Sequence, residues 1–306
     1  MTQVSVPQND AVVLSTVRIL AGKKGSPPSS VGTGFFYRAD NGNITNSRVV
    51  IMTNKHVVEG SDYINFTITS SNNLYEMGKG GQPANRNDLT HHVDIIRNIS
   101  PEIDNYFPHP SDEIDLCAID ISSIFMSRLQ NSSKVRAHLI DSNDLMTEDE
   151  EVTVAHVEQI MVCGYPTGLW DSTNNMPISR VGHTATNMLT DFNGKREFLV
   201  DMPIFGGSSG SPVFRYEVPM YKTSASNLSL GGRIKLAGII WGTLNKTQYG
   251  EIKIIEVPTG EKPMAAYQTN LSLGIAHPAS TIKELASIIG NRINEVQSCE
   301  PNLIKR

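Results

Sequence analysis

The chain has 306 residues, 39% of them hydrophobic and 19% charged, with a formal net charge of -5. This is an ordinary globular composition, long enough for two domains or one large one around a sizeable core. It contains no basic stripe and no apolar run of membrane-spanning length, so neither nucleic acid nor a membrane is an expected partner.

Short apolar stretches bounded by Gly, Asn, Asp and Ser follow one another through most of the sequence. Strands are predicted over 12–20, 34–37, 49–53, 63–68, 116–121, 159–163, 198–201, 212–216 and 236–241. Asp40-Asn41-Gly42-Asn43 is a hairpin signal between two of them. The polar segments 74–111 and 217–233 read as surface excursions. The acidic stretch 141–151, with Glu148-Asp149-Glu150-Glu151 as a solvated turn, reads as a linker between halves. One helix is predicted over 280–289: Ser280 can cap it, Ile282, Leu285, Ile288 and Ile289 keep a helical spacing, and Gly290 stops it. Many short strands with turn chemistry between them define an all-β protein, a sandwich or a pair of barrels.

Three cysteines, Cys117, Cys163 and Cys299, cannot build a disulfide framework, and the first two sit in apolar runs as small buried hydrophobes would. The apolar stretch 11–20 is interrupted by Arg18 and lacks the flanks of a signal peptide. A reducing, cytoplasmic setting is expected. His91 and His92 are adjacent, so a strand would send them to opposite faces; no metal site and no cofactor are expected.

Three segments carry chemistry. Gly206-Gly207-Ser208-Ser209-Gly210-Ser211-Pro212-Val213-Phe214 joins a glycine-rich turn to an extended chain. A serine hydroxyl needs a base to become a nucleophile, and backbone N–H donors to stabilise the oxyanion that forms. Val49-Val50-Ile51-Met52-Thr53-Asn54-Lys55-His56-Val57 ends a strand just before His56, an imidazole that can take and return a proton near neutrality. Asp112-Glu113-Ile114-Asp115-Leu116-Cys117-Ala118-Ile119-Asp120 puts Asp115 at the start of a buried strand, where a histidine N–H could satisfy it. Asp94 and Asp120 are alternatives for that place.

His, Asp and Ser in this order, with Thr-Asn-Lys-His-Val, Asp-Leu-Cys-Ala-Ile and Gly-Ser-Ser-Gly-Ser-Pro, resemble the trypsin-like peptidases. The nearest likeness is to the disulfide-poor HtrA/Deg-type and glutamyl-endopeptidase branch. Val31-Gly32-Thr33-Gly34-Phe35-Phe36, Gly164-Tyr165-Pro166, Leu236-Ala237-Gly238-Ile239-Ile240-Trp241-Gly242 and Leu273-Gly274-Ile275-Ala276-His277-Pro278 extend it over residues 30–290. The resemblance implies two six-stranded antiparallel β-barrels, residues 1–145 and 146–306, with a C-terminal helix. It implies Ser209 as nucleophile, His56 as base and then acid, and Asp115 as its orienting group. The amides of Gly207 and Ser209, with Ser208 as a further donor, would form the oxyanion hole. Protein or peptide would be the substrate, and a covering loop or regulatory partner would restrain the enzyme.

Departures from the family pattern shape the remaining expectations. Ser208 stands where zymogen-type members carry an aspartate, so activation through a cut N-terminus is not expected. Pro203, Ile204 and Phe205 on one wall, and Ile240, Trp241 and Gly242 on the other, describe an apolar pocket for small or medium side chains. His277 could add a polar wall to it. Two rival readings stand beside this one. Gly206-Gly207-Ser208-Ser209-Gly210 also fits a G-x-S-x-G hydrolase elbow with Ser208 as nucleophile, which would require a helix directly afterwards. An inactive, peptide-binding module of the same fold is the other.

Overall fold

A computed structural model of the chain describes residues 8–40, 47–71, 90–99, 105–130, 134–224, 227–251 and 264–299. The first half supplies helix α1 (Gln8–Val13), strands β1 (Thr16–Gly22), β2 (Ser30–Ala39) and β3 (Arg48–Thr53), and the single turn α2 (Lys55–Val58). Strands β4 (Tyr63–Ser71), β5 (Thr90–Asn98), β6 (Tyr106–Pro108) and β7 (Cys117–Asp120), helix α3 (Ser122–Gln130) and the short β8 (Lys134–Val135) complete it. Their sheet runs β5-β4-β1-β2-β3-β7-β6, with β8 on β4. The second half begins with α4 (Glu148–Glu151), then β9 (Gln159–Gly164), β10 (Ile178–Thr184), β11 (Phe198–Asp201) and β12 (Pro212–Glu217). The small hairpin β13 (Met220–Lys222) and β14 (Leu228–Leu230) is followed by β15 (Arg233–Glu251), β16 (Met264–Pro278) and helix α5 (Ala279–Cys299). Here β10-β11-β16-β15-β12-β9 close into a six-stranded barrel. The first sheet has eight strands rather than six and forms a half-barrel whose end strands do not pair among the described residues.

Three apolar clusters explain this packing. Val17, Ile19, Phe36, Ile51, Ile64 and Phe66 fill the first sheet, and Ile160, Val162, Phe198, Val200, Val213 and Ile240 fill the barrel. The third cluster lies between them: Phe35, Tyr37, Val50 and Met52 meet Met161, Cys163, Phe214 and Leu236, covered by Ile282, Leu285 and Ile289 of α5. Strands β2, β3, β9 and β12 therefore bury both faces. This is why Val49-Val50-Ile51-Met52 is an unbroken apolar run rather than an alternating one.

Several local expectations change. The stretch 12–20 divides, because α1 places Val12 in the shared cluster before β1 starts at Thr16. Residues 74–111 include β5, which pairs with β4 from Ser71↔Thr90 to Tyr63↔Asn98, and 217–233 holds the β13–β14 hairpin. Helix α5 starts at Ala279, one residue before the expected cap Ser280, and runs through the buried Gly290 instead of stopping there. The acidic stretch is not a bare turn. Asp141 and Thr147 head capping boxes, and Glu150 of α4 pairs with Arg233 and Lys235 of β15. Of the hairpin signal at Asp40-Asn41-Gly42-Asn43, residues 41–43 lie outside the described residues.

Candidate active site

His56 sits in α2, the turn that follows β3. Val57 and Val58 of that turn are buried in the first sheet's core and fix it from below. A side chain on Gly32 of β2 would lie 2.5 Å from Val57 Cγ1, so only glycine lets β2 pass under the turn. The imidazole remains 45% exposed. Its Nδ1 contacts Asp115 Oδ2 directly, and its backbone N–H donates to Asp115 Oδ1 at 3.2 Å. Asp115 itself lies just ahead of β7, and its carbonyl accepts from Asn54 Nδ2 at 2.5 Å. Burial pushes the Asp115 carboxyl up, but the bonds and charge of His56 outweigh it and hold the pKa below the ordinary carboxylate value. Asp115 therefore stays ionised and acceptor-only against the ring. Asp94 lies on β5 bonded to Thr67, and Asp120 pairs with Arg48, so neither takes this place.

The loop between β11 and β12 carries Ser209. Two turns shape it: Ser208 N–H donates to Phe205 O at 3.0 Å, and Ser211 N–H to Ser208 O at 3.0 Å. Gly207 and Gly210 take φ of 84° and 87°, in the left-handed region. A Cβ on Gly210 would meet Thr33 O at 1.8 Å, which shows how closely this loop docks on β2. Thr33 is the hub of that contact. Its N–H donates to Ser209 O at 2.8 Å and its hydroxyl to Gly207 O at 2.7 Å; the same hydroxyl accepts from Tyr165 N–H at 3.1 Å. Thr33 O accepts from Thr53 Oγ1 at 2.7 Å, three residues before His56. The Ser209 loop of one half is thereby fastened to the strand that precedes His56 in the other.

The backbone amides around Ser209 divide into used and free. Gly206 O accepts from Thr167 N–H at 2.6 Å, which turns the Gly207 N–H to the opposite side of that peptide. Neither Gly207 N–H nor Ser209 N–H has an acceptor among the described residues. Ser208 does not join them, contrary to expectation: its amide is spent on Phe205, and the residue is 1% exposed. Strand β12 follows directly, without the helix that a G-x-S-x-G elbow requires, so the Ser208 nucleophile reading fails.

The expected pocket walls separate into accessible and buried residues. Pro203 and Phe205 are exposed, and Trp241 and Gly242 are half-buried. Ile204 and Ile240 instead point into the barrel core. His277 is fully buried and forms no pocket wall; its ring stacks on Trp241 with centroids 5.5 Å apart and reaches the Asp115 backbone. Sequence reasoning did not single out Arg180 of β10, which donates to Pro203 O at 2.5 Å and lies 5.9 Å from the Phe205 ring centroid. A cleft of about 500 Å³ adjoins His56, lined by Val58, Glu59, Ile99, Tyr106 and Asp112 among others. Thr33 and Asn54 also lay in plain view within their motifs, but their partners are distant in sequence. No cluster of possible metal ligands occurs among the described residues, and none of the described helices is long and apolar enough to cross a membrane.

The family model for the trypsin-like peptidase domain matches residues 32–218, more than half of the chain. The chain belongs to the trypsin-like peptidases. Among solved structures, a serine endoprotease from Yersinia pestis is 13% identical, with 92% of this chain covered and a TM-score of 0.45. This peptidase spans 65% of the Yersinia chain. The Rv3671c protease from M. tuberculosis in its active form is 13% identical over 93% of this chain and 85% of that one, with a TM-score of 0.42. No curated protein matches the sequence.

Proposed function

We propose that this peptidase hydrolyses peptide bonds through an acyl-enzyme, with Ser209 as nucleophile, His56 as base and acid, and Asp115 as its orienting group. The observation that carries the reading is the direct contact of His56 Nδ1 with an ionised Asp115 carboxylate. That contact leaves Nε2 as the basic nitrogen of the ring. In the proposed reaction, Ser209 Oγ attacks the scissile carbonyl carbon while its proton passes to His56 Nε2. The carbonyl oxygen becomes negative and receives the free N–H groups of Gly207 and Ser209. Collapse of this intermediate expels the amine, which takes the proton from His56, and leaves an ester on Ser209. Water then attacks the ester as His56 takes its proton, and the acid product leaves as His56 returns that proton to Ser209 Oγ.

The exposed Phe205 and Pro203 and the half-buried Trp241 and Gly242 support cleavage after small or medium apolar residues. The Arg180 guanidinium, already donating to Pro203 O, contributes its cation–π contact with Phe205 to that wall. Buried, unpaired Cys117 and Cys163 support a reducing compartment, such as the cytoplasm; burial pushes the Cys163 thiol up to about 11. A regulatory partner remains part of this proposal, since a free endopeptidase needs restraint.

The test is labelling by a fluorophosphonate with peptide mapping, beside cleavage of a peptide library. Labelling at Ser209 that is lost in His56→Ala and kept in Ser208→Ala is expected. Turnover should fall about a millionfold in Ser209→Ala. A chain that never labels is a binding module instead, and a library cut mainly after Asp or Glu would overturn the apolar pocket and give Arg180 the substrate carboxylate.

A further inference from the structure

His277 lies 162 residues after Asp115, in the barrel rather than the first sheet, yet its ring touches the Asp115 main chain. The Asp115 N–H donates to His277 Nε2 at 3.1 Å, and His277 Nδ1 lies 3.0 Å from Arg196 O. Neither neighbour can exchange its role: an amide only donates and a carbonyl only accepts. One arrangement satisfies both, a neutral ring with its proton on Nδ1 and its lone pair on Nε2. The ring is fully buried and stacks on Trp241 at an interplanar angle of 12°, so it cannot turn over without unstacking. Burial also holds the pKa of His277 below the ordinary histidine value, which keeps the lone pair available.

Asp115 needs such a fixture. It stands outside any strand, between the turn at 111–113 and β7, and no sheet ladder holds it. Its carbonyl is held by Asn54 and its carboxylate by His56, both from the β3–α2 segment.

We infer that His277 is a positioning residue, which through the Asp115 N–H sets the carboxylate that orients His56 and ties this geometry to the Trp241 strand. The inference rests on the catalytic reading of Asp115 given above. A backbone displaced by even a fraction of an ångström moves the carboxylate against the ring, and misplacement of that kind lowers catalysis steeply.

Two near-isosteric substitutions separate this role from packing. In His277→Gln the side-chain amide oxygen can reach the position of Nε2 and accept from Asp115, while the donor to Arg196 is lost. In His277→Asn the amide can replace Nδ1 towards Arg196, while the acceptor for Asp115 is lost. Two readouts are taken on the full chain: the rate of fluorophosphonate labelling at Ser209, and the proton resonance of the hydrogen bond between His56 Nδ1 and Asp115. His277→Asn should slow labelling by on the order of 10- to 100-fold and move the resonance. His277→Gln should restore most of the rate and leave the resonance near its original place. Equal effects of both variants, or an effect of neither, would overturn the inference. If the unsubstituted chain never labels while its resonance still responds only to His277→Asn, the peptidase reading falls and the link between His277 and Asp115 stands.

Discussion

Thr33 links the two halves of the active site with more hydrogen bonds than any of the three residues expected to react. Its hydroxyl both donates to Gly207 O and accepts from Tyr165 N–H, and it is fully buried. Thr33→Val keeps the shape and removes both bonds, leaving a buried carbonyl and a buried amide without partners. We expect a loss of about 1–3 kcal/mol in urea unfolding, because unsatisfied buried groups bear their full desolvation cost. The same variant should label more slowly with fluorophosphonate, since Gly207 then loses the bond that holds its carbonyl away from the site. Thr33→Ser, which keeps the hydroxyl, should resemble the original in both measurements. A Thr33→Val protein of unchanged stability would mean that water satisfies the two groups left unpaired.

At the level of elements, an ion network ties α4 and the connection that precedes the barrel to β12 and β15, beside the apolar contacts of Leu145, Met146 and Val154. Arg215 of β12 is 1% exposed and reaches Glu158 and Glu217 at 3.2 Å each, as well as Thr153 Oγ1 at 3.0 Å. Glu217 is shared with Arg233 of β15, which extends to Glu150 of α4. Removing one partner from a buried network strands the others without compensation. Arg215→Met should therefore cost about 3–5 kcal/mol in chemical denaturation. Arg38→Met breaks the more exposed pair with Asp141, with side chains 29% and 15% exposed, and should cost no more than about 1 kcal/mol. Equal costs for the two would show that depth does not govern this network.

For the molecule as a whole, the cluster between the sheets decides how it unfolds. Leu285 of α5 is fully buried where β2 and β3 meet β9, β12 and β15. Because each half lends a face of its strands to this cluster, neither half keeps a complete core without the other. Leu285→Ala should lower stability by about 2–5 kcal/mol while leaving one transition, coincident by far-ultraviolet dichroism and tryptophan fluorescence. Two separated transitions would mean that the half-barrel and the barrel fold independently. The proposed active site draws on both sides of this seam, with His56 and Asp115 from one half and Ser209 from the other, so loosening α5 should also slow labelling.

The amino-acid sequence alone determined the fold class and the family, and it singled out the three residues proposed to react, because those depend on local patterns. Apolar runs between turn residues mark the strands. The segments around His56, Asp115 and Ser209 each pair a reactive side chain with the backbone chemistry that its neighbours need. The register of the glycine-rich loop against Thr33, the burial of Ile204 and Ile240, and the hydrogen bond from Asp115 to His277 were decided only by the tertiary structure. Each depends on a partner far away in the chain, and side-chain direction in a closed barrel is fixed by which strands meet, not by residue type. His277 shows the difference most clearly: in sequence it is one polar residue near the end of a strand, and the packing of the barrel against the first half brings its lone pair against the amide of Asp115.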